Sequence, residues 1–158
     1  MESKVRTLPD LKAILKKEPT KKIVFANGCF DILHVGHVRY LNEAKSLGDI
    51  LVVGLNSDSS VRRIKGDGRP VLDQDARATI LSGLESVDHI LIFDDDTVDR
   101  LLLELKPHLH CKGSDYTPDT IPERDTVKQY GGSNSITGGE KVQSTRWLFE
   151  EIKRRFSN

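Results

Sequence analysis

The chain has 158 residues and only two cysteines, Cys29 and Cys111. Two thiols are too few for a disulfide scaffold, so the fold must rest on a buried core. A surplus of either charge is also missing, because 24 Lys and Arg are matched by 24 Asp and Glu. That balance argues against a nucleic-acid partner gripped through a broad basic surface, and leaves room for local cationic pockets. No apolar run approaches the roughly 20 residues that cross a bilayer, and the N-terminus carries no apolar signal core. The sequence therefore predicts a cytoplasmic protein with neither a nucleic-acid nor a membrane partner. Internal repeats, low-complexity tracts and long linkers are absent too, which at this length points to one domain.

What is present is an alternation of apolar strands and amphipathic helices. "LPDLKAILKK" spaces Leu8, Leu11, Ile14 and Leu15 as a helix with Pro9 in its first turn. "KIVFAN", "DILVVGLN" and "DHILIF" read as buried strands, with "HLHCKG" and "SNSIT" as shorter ones. Between them, "VRYLNEAKSLG" faces Val38, Leu41 and Ala44 one way and stops at Gly48. "DQDARATILSGLESV" puts Ala76, Ile80, Leu84 and Val87 on one stripe, with Asp73 or Asp75 near its cap. "DTVDRLLLELKP" does the same with Val98, Leu101, Leu102 and Leu105. "STRWLFEEIKRRF" closes the chain as a helix predicted to turn Leu148, Ile152 and Phe156 inward. Strands that are apolar throughout, alternating with helices, predict an α/β fold with a parallel sheet covered on both faces.

In such a sheet, ligands bind beyond the carboxyl ends of the strands, and the unusual residues fall there. "NGCFDILHVGH" follows the first strand, "NSD" the second and "KGSDY" the fourth, while "QST" heads the last helix. The first is a strand, a glycine-containing turn and a helix start, which lets backbone N–H groups approach an anion. It is neither a dinucleotide fingerprint nor a Walker loop. His34 and His37 sit at the helix entry with Gly36 between them, placed to donate to phosphate oxygens. A zinc reading fails on spacing: the pair is i, i+3 without a glutamate, and "HLHCK" alternates like a strand. Cys29 reads as a small side chain at a strand end in preference to a nucleophile.

"RRIKGDGRP" reads as a basic, anion-binding loop carrying Arg62, Arg63, Lys65 and Arg69, with Asp58 upstream and Arg77 downstream. Lys112 and Gly113, followed by Asp115, make a second cationic turn, and Ser144 with Thr145 offers hydroxyls at a helix N-terminus. Several phosphate-shaped sites on one edge suggest a nucleoside triphosphate meeting a phosphorylated substrate. That reaction needs positioning and charge neutralisation more than proton transfer.

"GCFDILHVGH" resembles the G-x-F-D-x-x-H-x-G-H signature of the cytidylyltransferase-like nucleotidyltransferases. The likeness continues through "VGLNSDSSVRRIKGDGRPV", "ARATILSGLESVD", "DDDT", "KGSDY" and "QSTR", over residues 22–155. Residues 1–20 are then a helical extension of a single nucleotidyltransferase domain. Within the family, the "KG..RP" and "KGSDY" segments are most similar to the heptose-1-phosphate adenylyltransferases in their stand-alone form. The resemblance implies a Rossmann-like three-layer sandwich with a five-stranded, mainly parallel sheet. It implies transfer of AMP from ATP to D-glycero-D-manno-heptose 1-phosphate, giving ADP-heptose and pyrophosphate for lipopolysaccharide core or other surface glycans. It further implies Mg2+ travelling with the triphosphate without direct protein ligands, and a homodimer.

By motif position, the resemblance makes His34, His37 and Lys65 the catalytic groups. Gly28, Cys29, Phe30 and Gly36 approach the nucleotide, Lys112, Gly113 and Asp115 border it, and Ser144 and Thr145 contact phosphate. Asp31, Asp58, Lys65, Arg69 and Arg77 face the sugar phosphate or the α-phosphate. The cytidylyltransferase branch carries R-T-E-G-I-S-T-T before its last helix. Here "TGGEKVQSTR" lacks that arginine, leaving Lys141 or Arg146 to supply the charge and favouring ATP over CTP. The competing readings are a CTP-dependent enzyme acting on a phosphorylated polyol or phosphonate, and a non-catalytic nucleotide-binding regulatory module.

Overall fold

The computed structural model describes residues 3–140 and 143–157. Five strands form one sheet: β1 (Ile23–Gly28), β2 (Ile50–Asn56), β3 (His89–Phe93), β4 (Leu109–Gly113) and β5 (Ser133–Thr137). Their order is β3-β2-β1-β4-β5 and every neighbouring pair is parallel. The chain winds outward from β1 to β3, then returns to the other side of β1 with β4. The topological switch point therefore lies between β1 and β4, where a crevice opens at the carboxyl ends of the strands.

Alternation along the strands sorts two apolar layers. Val24, Ala26, Leu51, Val53, Leu55 and Cys111 meet Leu41 and Ala44 of α2 (Val35–Ser46) and Ala78 and Leu81 of α4 (Gln74–Ser82). On the opposite face, Ile23, Phe25, Val52, Leu91 and Phe93 meet Leu11 of α1 (Leu8–Lys16), Leu101 and Leu102 of α5 (Asp99–Leu105) and Val127 of α6 (Arg124–Gln129). Helices on both faces give the three-layer Rossmann-like architecture. Among the described residues no helix is long and apolar enough to cross a membrane.

Four local expectations are corrected. The first half of "RRIKGDGRP" is helical: α3 (Asp58–Lys65) is capped by Ser57, whose side chain accepts from the Ser60 N–H. Only Val61 and Ile64 are apolar in α3, so periodicity could not reveal it. α6 was missed because its six residues bury one side chain, Val127. α4 stops at Ser82 with Gly83 as its C-cap, and Ile80 is exposed because Arg77, Ala78, Leu81 and Ser82 take the inner positions. Finally, α7 (Thr145–Phe156) buries none of its residues, and Ile152 and Phe156 are exposed.

Candidate active site

At the end of β1, Gly28 leaves room for the Phe30 ring, since a Cβ there would lie 3.1 Å from Phe30 Cε2. Phe30 adopts a left-handed φ of 47°, tucks its ring into the core and presents it edge-on to His37, with ring centres 5.1 Å apart. The chain then enters α2 with His34 as its N-cap. His34 Nδ1 accepts from the Gly36 N–H at 3.1 Å, and the His34 N–H donates to His37 Nδ1 at 3.3 Å. The two imidazoles stack with centres 3.8 Å apart and planes 27° apart.

These two bonds have a chemical consequence. A ring nitrogen that accepts carries no proton, so both imidazoles hold their proton on Nε2 and can donate from there. Gly36 is needed for the arrangement, because a Cβ would come within 2.9 Å of His34 Cε1 and 3.0 Å of its Nδ1.

Asp31 does not reach the cavity wall. It is buried and accepts from the Val71 and Leu72 N–H groups and from Arg69 Nε at 2.8 Å. Burial alone would push its carboxyl up, but the Leu72 and Val71 N–H groups and the Arg69 guanidinium outweigh that and hold it below its ordinary value. Asp31 thereby docks residues 69–72 onto the histidine turn. Arg69 in turn lies 4.7 Å from the centre of the Phe149 ring on α7.

Arg77, expected to face substrate, is held among protein groups and does not line the cavity. Its side chain is fully enclosed and donates to Leu72 O, Cys29 O, Asn56 O and the Asp58 carboxylate, all within 2.9 Å. Arg77 and Asp58 therefore tie the ends of β1 and β2 to the starts of α3 and α4. Burial pushes the Cys29 thiol up, and the pull of Lys65, Arg77 and Arg69 does not reverse this. The thiol stays protonated, unlike an activated nucleophile.

A cavity of about 530 Å³ opens at the switch point. α2 contributes His34, Gly36, His37 and Tyr40, and the basic segment contributes Lys65 and Arg69. Gly113, Ser114 and Asp115 come from the end of β4, and Thr137 and Gly138 from the end of β5. Ser144, Thr145 and Arg146 supply the head of α7, with Glu140 and Gln143 beside them. Ser144 Oγ accepts from the Trp147 N–H at 3.1 Å, capping a helix whose N-terminus faces the cavity.

Of the residues singled out in the sequence, His34, Gly36, His37, Lys65, Arg69, Gly113, Asp115, Ser144 and Thr145 meet in this wall. Gly28, Cys29, Phe30, Asp31, Asp58, Arg77 and Lys112 do not, and the first six support it from behind. Lys112 is buried, 3.5 Å from Glu123 Oε1, with its ammonium 4.6 Å from the centre of the Tyr116 ring. Lys141 lies outside the described residues, and Arg146 is the cation present at the head of α7.

Tyr40, Thr137, Gly138 and Glu140 went unread in the sequence. Tyr40 had a signal, since it follows His37 by three residues on the same helix face. Its hydroxyl donates to Cys111 O at 2.6 Å, and Glu43, about one helical turn further along, accepts from the Gly138 N–H at 2.6 Å. The histidine helix thus also fixes the opposite wall.

Among the described residues, no group of three or more His, Cys, Asp or Glu side chains converges to cage a metal. Magnesium carried by a triphosphate needs only one or two carboxylates and keeps several waters. Asp115 and Glu140 are the carboxylates among the cavity's lining residues.

A family model described as cytidylyltransferase-like matches residues 25–155. The bifunctional protein HldE of Geobacter metallireducens is 48% identical over 157 residues, 98% of this chain and 32% of that protein. The bifunctional protein HldE of Campylobacter concisus is 47% identical over 152 residues, 96% of this chain and 31% of that protein. This chain spans about one third of the length of the curated relatives it matches. Among solved structures, a lipopolysaccharide core biosynthesis protein from Thermoplasma volcanium is 33% identical, with a TM-score of 0.63 over 73% of this chain and 93% of that one. Pantothenate synthetase from Thermus thermophilus shares the fold, with a TM-score of 0.63 at 17% identity over 90% of this chain and 63% of that one.

Proposed function

Because this chain belongs to the cytidylyltransferase-like family, we propose that it transfers AMP from ATP to a sugar 1-phosphate, with D-glycero-D-manno-heptose 1-phosphate as the acceptor. The products are ADP-heptose and pyrophosphate. An acceptor phosphate oxygen bonds to the α-phosphorus of ATP as the bond from that phosphorus to the β-phosphate bridge breaks, and pyrophosphate leaves. The nucleophile is already ionised, so no general base is required.

One observation carries the reading: the stacked His34–His37 pair is locked with its Nδ1 atoms turned into the helix cap. Both Nε2–H groups are then fixed donors for the charge that builds on the phosphoryl oxygens. Lys65 and Arg69 add positive charge from one side, and the capped head of α7 receives the leaving phosphates with Ser144 and Thr145. Asp115 and Glu140 would hold Mg2+ through its waters, where the ion would offset charge on the triphosphate. The similarity to bifunctional HldE proteins and to a lipopolysaccharide core biosynthesis protein supports a heptose acceptor for surface-glycan synthesis.

Pyrophosphate release tests the proposal, measured with ATP, CTP, GTP and UTP against a panel of phosphorylated acceptors. Turnover is expected with ATP and heptose 1-phosphate. Turnover confined to CTP with glycerol 3-phosphate would replace both substrates, and nucleotide binding without product from any acceptor would replace catalysis with regulation.

A further inference from the structure

α7 brings Thr145 and Arg146 to the cavity behind its cap Ser144, yet none of its residues is buried. Among the described residues its side-chain hydrogen bonds and ion pairs stay within the helix and its cap. Ser144 Oγ accepts from the Trp147 N–H, and Glu151 pairs with Arg154 and Arg155. Thr145, Phe149, Ile152 and Phe156 follow one another at helical spacing and share one face. Along that face Thr145 and Phe149 are half-buried, while Ile152 is 49% exposed and Phe156 79%. The helix therefore meets the body of the protein near its head and runs off it afterwards.

Two contacts mark that meeting. The Gln143 carbonyl passes close to Gly36, where an added Cβ would lie 3.3 Å from it. Further along, the Arg69 guanidinium sits over the Phe149 ring, 4.7 Å from its centre. Arg69 is also held from a second direction, because its Nε donates at 2.8 Å to Asp31, itself anchored by the Val71 and Leu72 N–H groups. A guanidinium is planar, so an edge bonded to a carboxylate and a face against a ring leave it little freedom to turn. Its Nη groups bond to no described residue, and Arg69 lines the cavity. The fork left over is a donor pair suited to a phosphate. Without the ring, the guanidinium could keep its bond to Asp31 and still swing about it.

We propose that Phe149 is a positioning residue: its ring sets the plane in which Arg69 meets a substrate phosphate, and the same contact sets the α7 head against the histidine turn. This rests on the sugar-phosphate reading above and adds to it a residue outside both the signature and the cavity wall. Phe149 touches no reacting atom and acts through Arg69. Asp31 belongs to the histidine turn and Phe149 to the last helix, so Arg69 joins two sides that must converge on one triphosphate.

The test is a double-mutant cycle on this chain with ATP and heptose 1-phosphate: wild type, Phe149→Leu, Arg69→Gln and the pair, with Phe149→Tyr as the conservative control. Phe149→Leu keeps apolar bulk and removes the ring face. It is expected to lower kcat/KM by about five- to thirtyfold, with Phe149→Tyr within about threefold of wild type. In the Arg69→Gln background, Phe149→Leu should cost no more than about twofold further, because the ring has nothing left to hold. Losses that multiply in the pair would make Phe149 independent of Arg69 and overturn the proposal, as would full activity of Phe149→Leu. Amide hydrogen exchange of α7 reads the contact without substrate. Protection should fall alike in Phe149→Leu and Arg69→Gln, fall no further in the pair, and stay near wild type in Phe149→Tyr. Unchanged protection in both single variants would overturn the link to the α7 head. A wild type inactive with every sugar 1-phosphate would overturn the proposed function, and the exchange cycle would still decide whether Arg69 and Phe149 hold each other.

Discussion

Arg69 donates from Nε to the buried Asp31 carboxylate at 2.8 Å, joining the basic segment to the histidine turn through one ion pair. Two backbone N–H groups converge on the same carboxylate, so an amide in its place would turn a donor toward donors. Asp31→Asn is expected to cost about 2–3 kcal/mol of stability and to lower kcat/KM by releasing Arg69. The sign of the pH effect follows from the depressed value of Asp31. Its stabilisation is complete above about pH 4, the unfolded carboxylate value, and is lost as pH falls through the lower folded value. Urea midpoints taken from about pH 5 down to about pH 3 should fall more steeply in wild type than in Asp31→Asn.

His34 has an observed role and a proposed one, and substitution can separate them. Its Nδ1 caps α2, and its Nε2–H is the donor assigned to phosphate. His34→Ala removes both, whereas His34→Asn restores a strong capping side chain without the second donor. Asn is expected to recover most of the roughly 1 kcal/mol lost by Ala. Both variants should lose about a hundred- to a thousandfold in turnover. Thermal melts and pyrophosphate release on the same preparations check the split. Activity returning with stability would assign His34 to capping alone.

The topology and the histidine turn were legible because they rest on short-range patterns: apolar strands, a capped helix and a signature of fixed spacing. What the sequence concealed depends on distant partners. Arg77 looks like one more cation beside the basic segment, yet four oxygens from separate parts of the chain enclose it. Lys112 sits near the end of β4 like an active-site lysine, but its partner Glu123 is eleven residues on, beyond an irregular segment. α7 misled in the opposite direction. Leu148, Ile152 and Phe156 have inward-facing spacing, and periodicity records that a helix has an apolar face without recording whether anything covers it.

Gly36→Ala is expected to divorce stability from activity. Alanine at a helix position is favoured over glycine by up to about 1 kcal/mol. The added Cβ would meet the His34 ring at 2.9 Å and the Gln143 carbonyl at 3.3 Å. The imidazole is the part able to move, so the helix should hold while His34 swings out of its stack. Circular dichroism should show an unchanged or slightly raised Tm, and kcat should fall at least about a hundredfold. A variant with full activity would show that the stacked geometry is dispensable.

His110 provides a pH effect of opposite origin to that of Asp31. It is fully buried, its Nε2 lies 2.8 Å from Asn27 Oδ1, and burial, with Lys112 adding to it, holds its value down to about 3. In the unfolded chain the same imidazole titrates near about pH 6.5. Between these values the unfolded chain binds a proton that the folded chain refuses, so stability rises with pH across that window and falls on acidification. From about pH 6.5 to about pH 5 this group alone should cost roughly 1.5–2 kcal/mol. His110→Gln keeps a polar side chain and removes the titration. Its stability should be lower than wild type at neutral pH, where an Asn27 contact is altered, but should decline less over the same window. Equal slopes for the two proteins in urea titrations would mean that His110 becomes charged within the fold, with Asn27 and Asn134 both accepting from it.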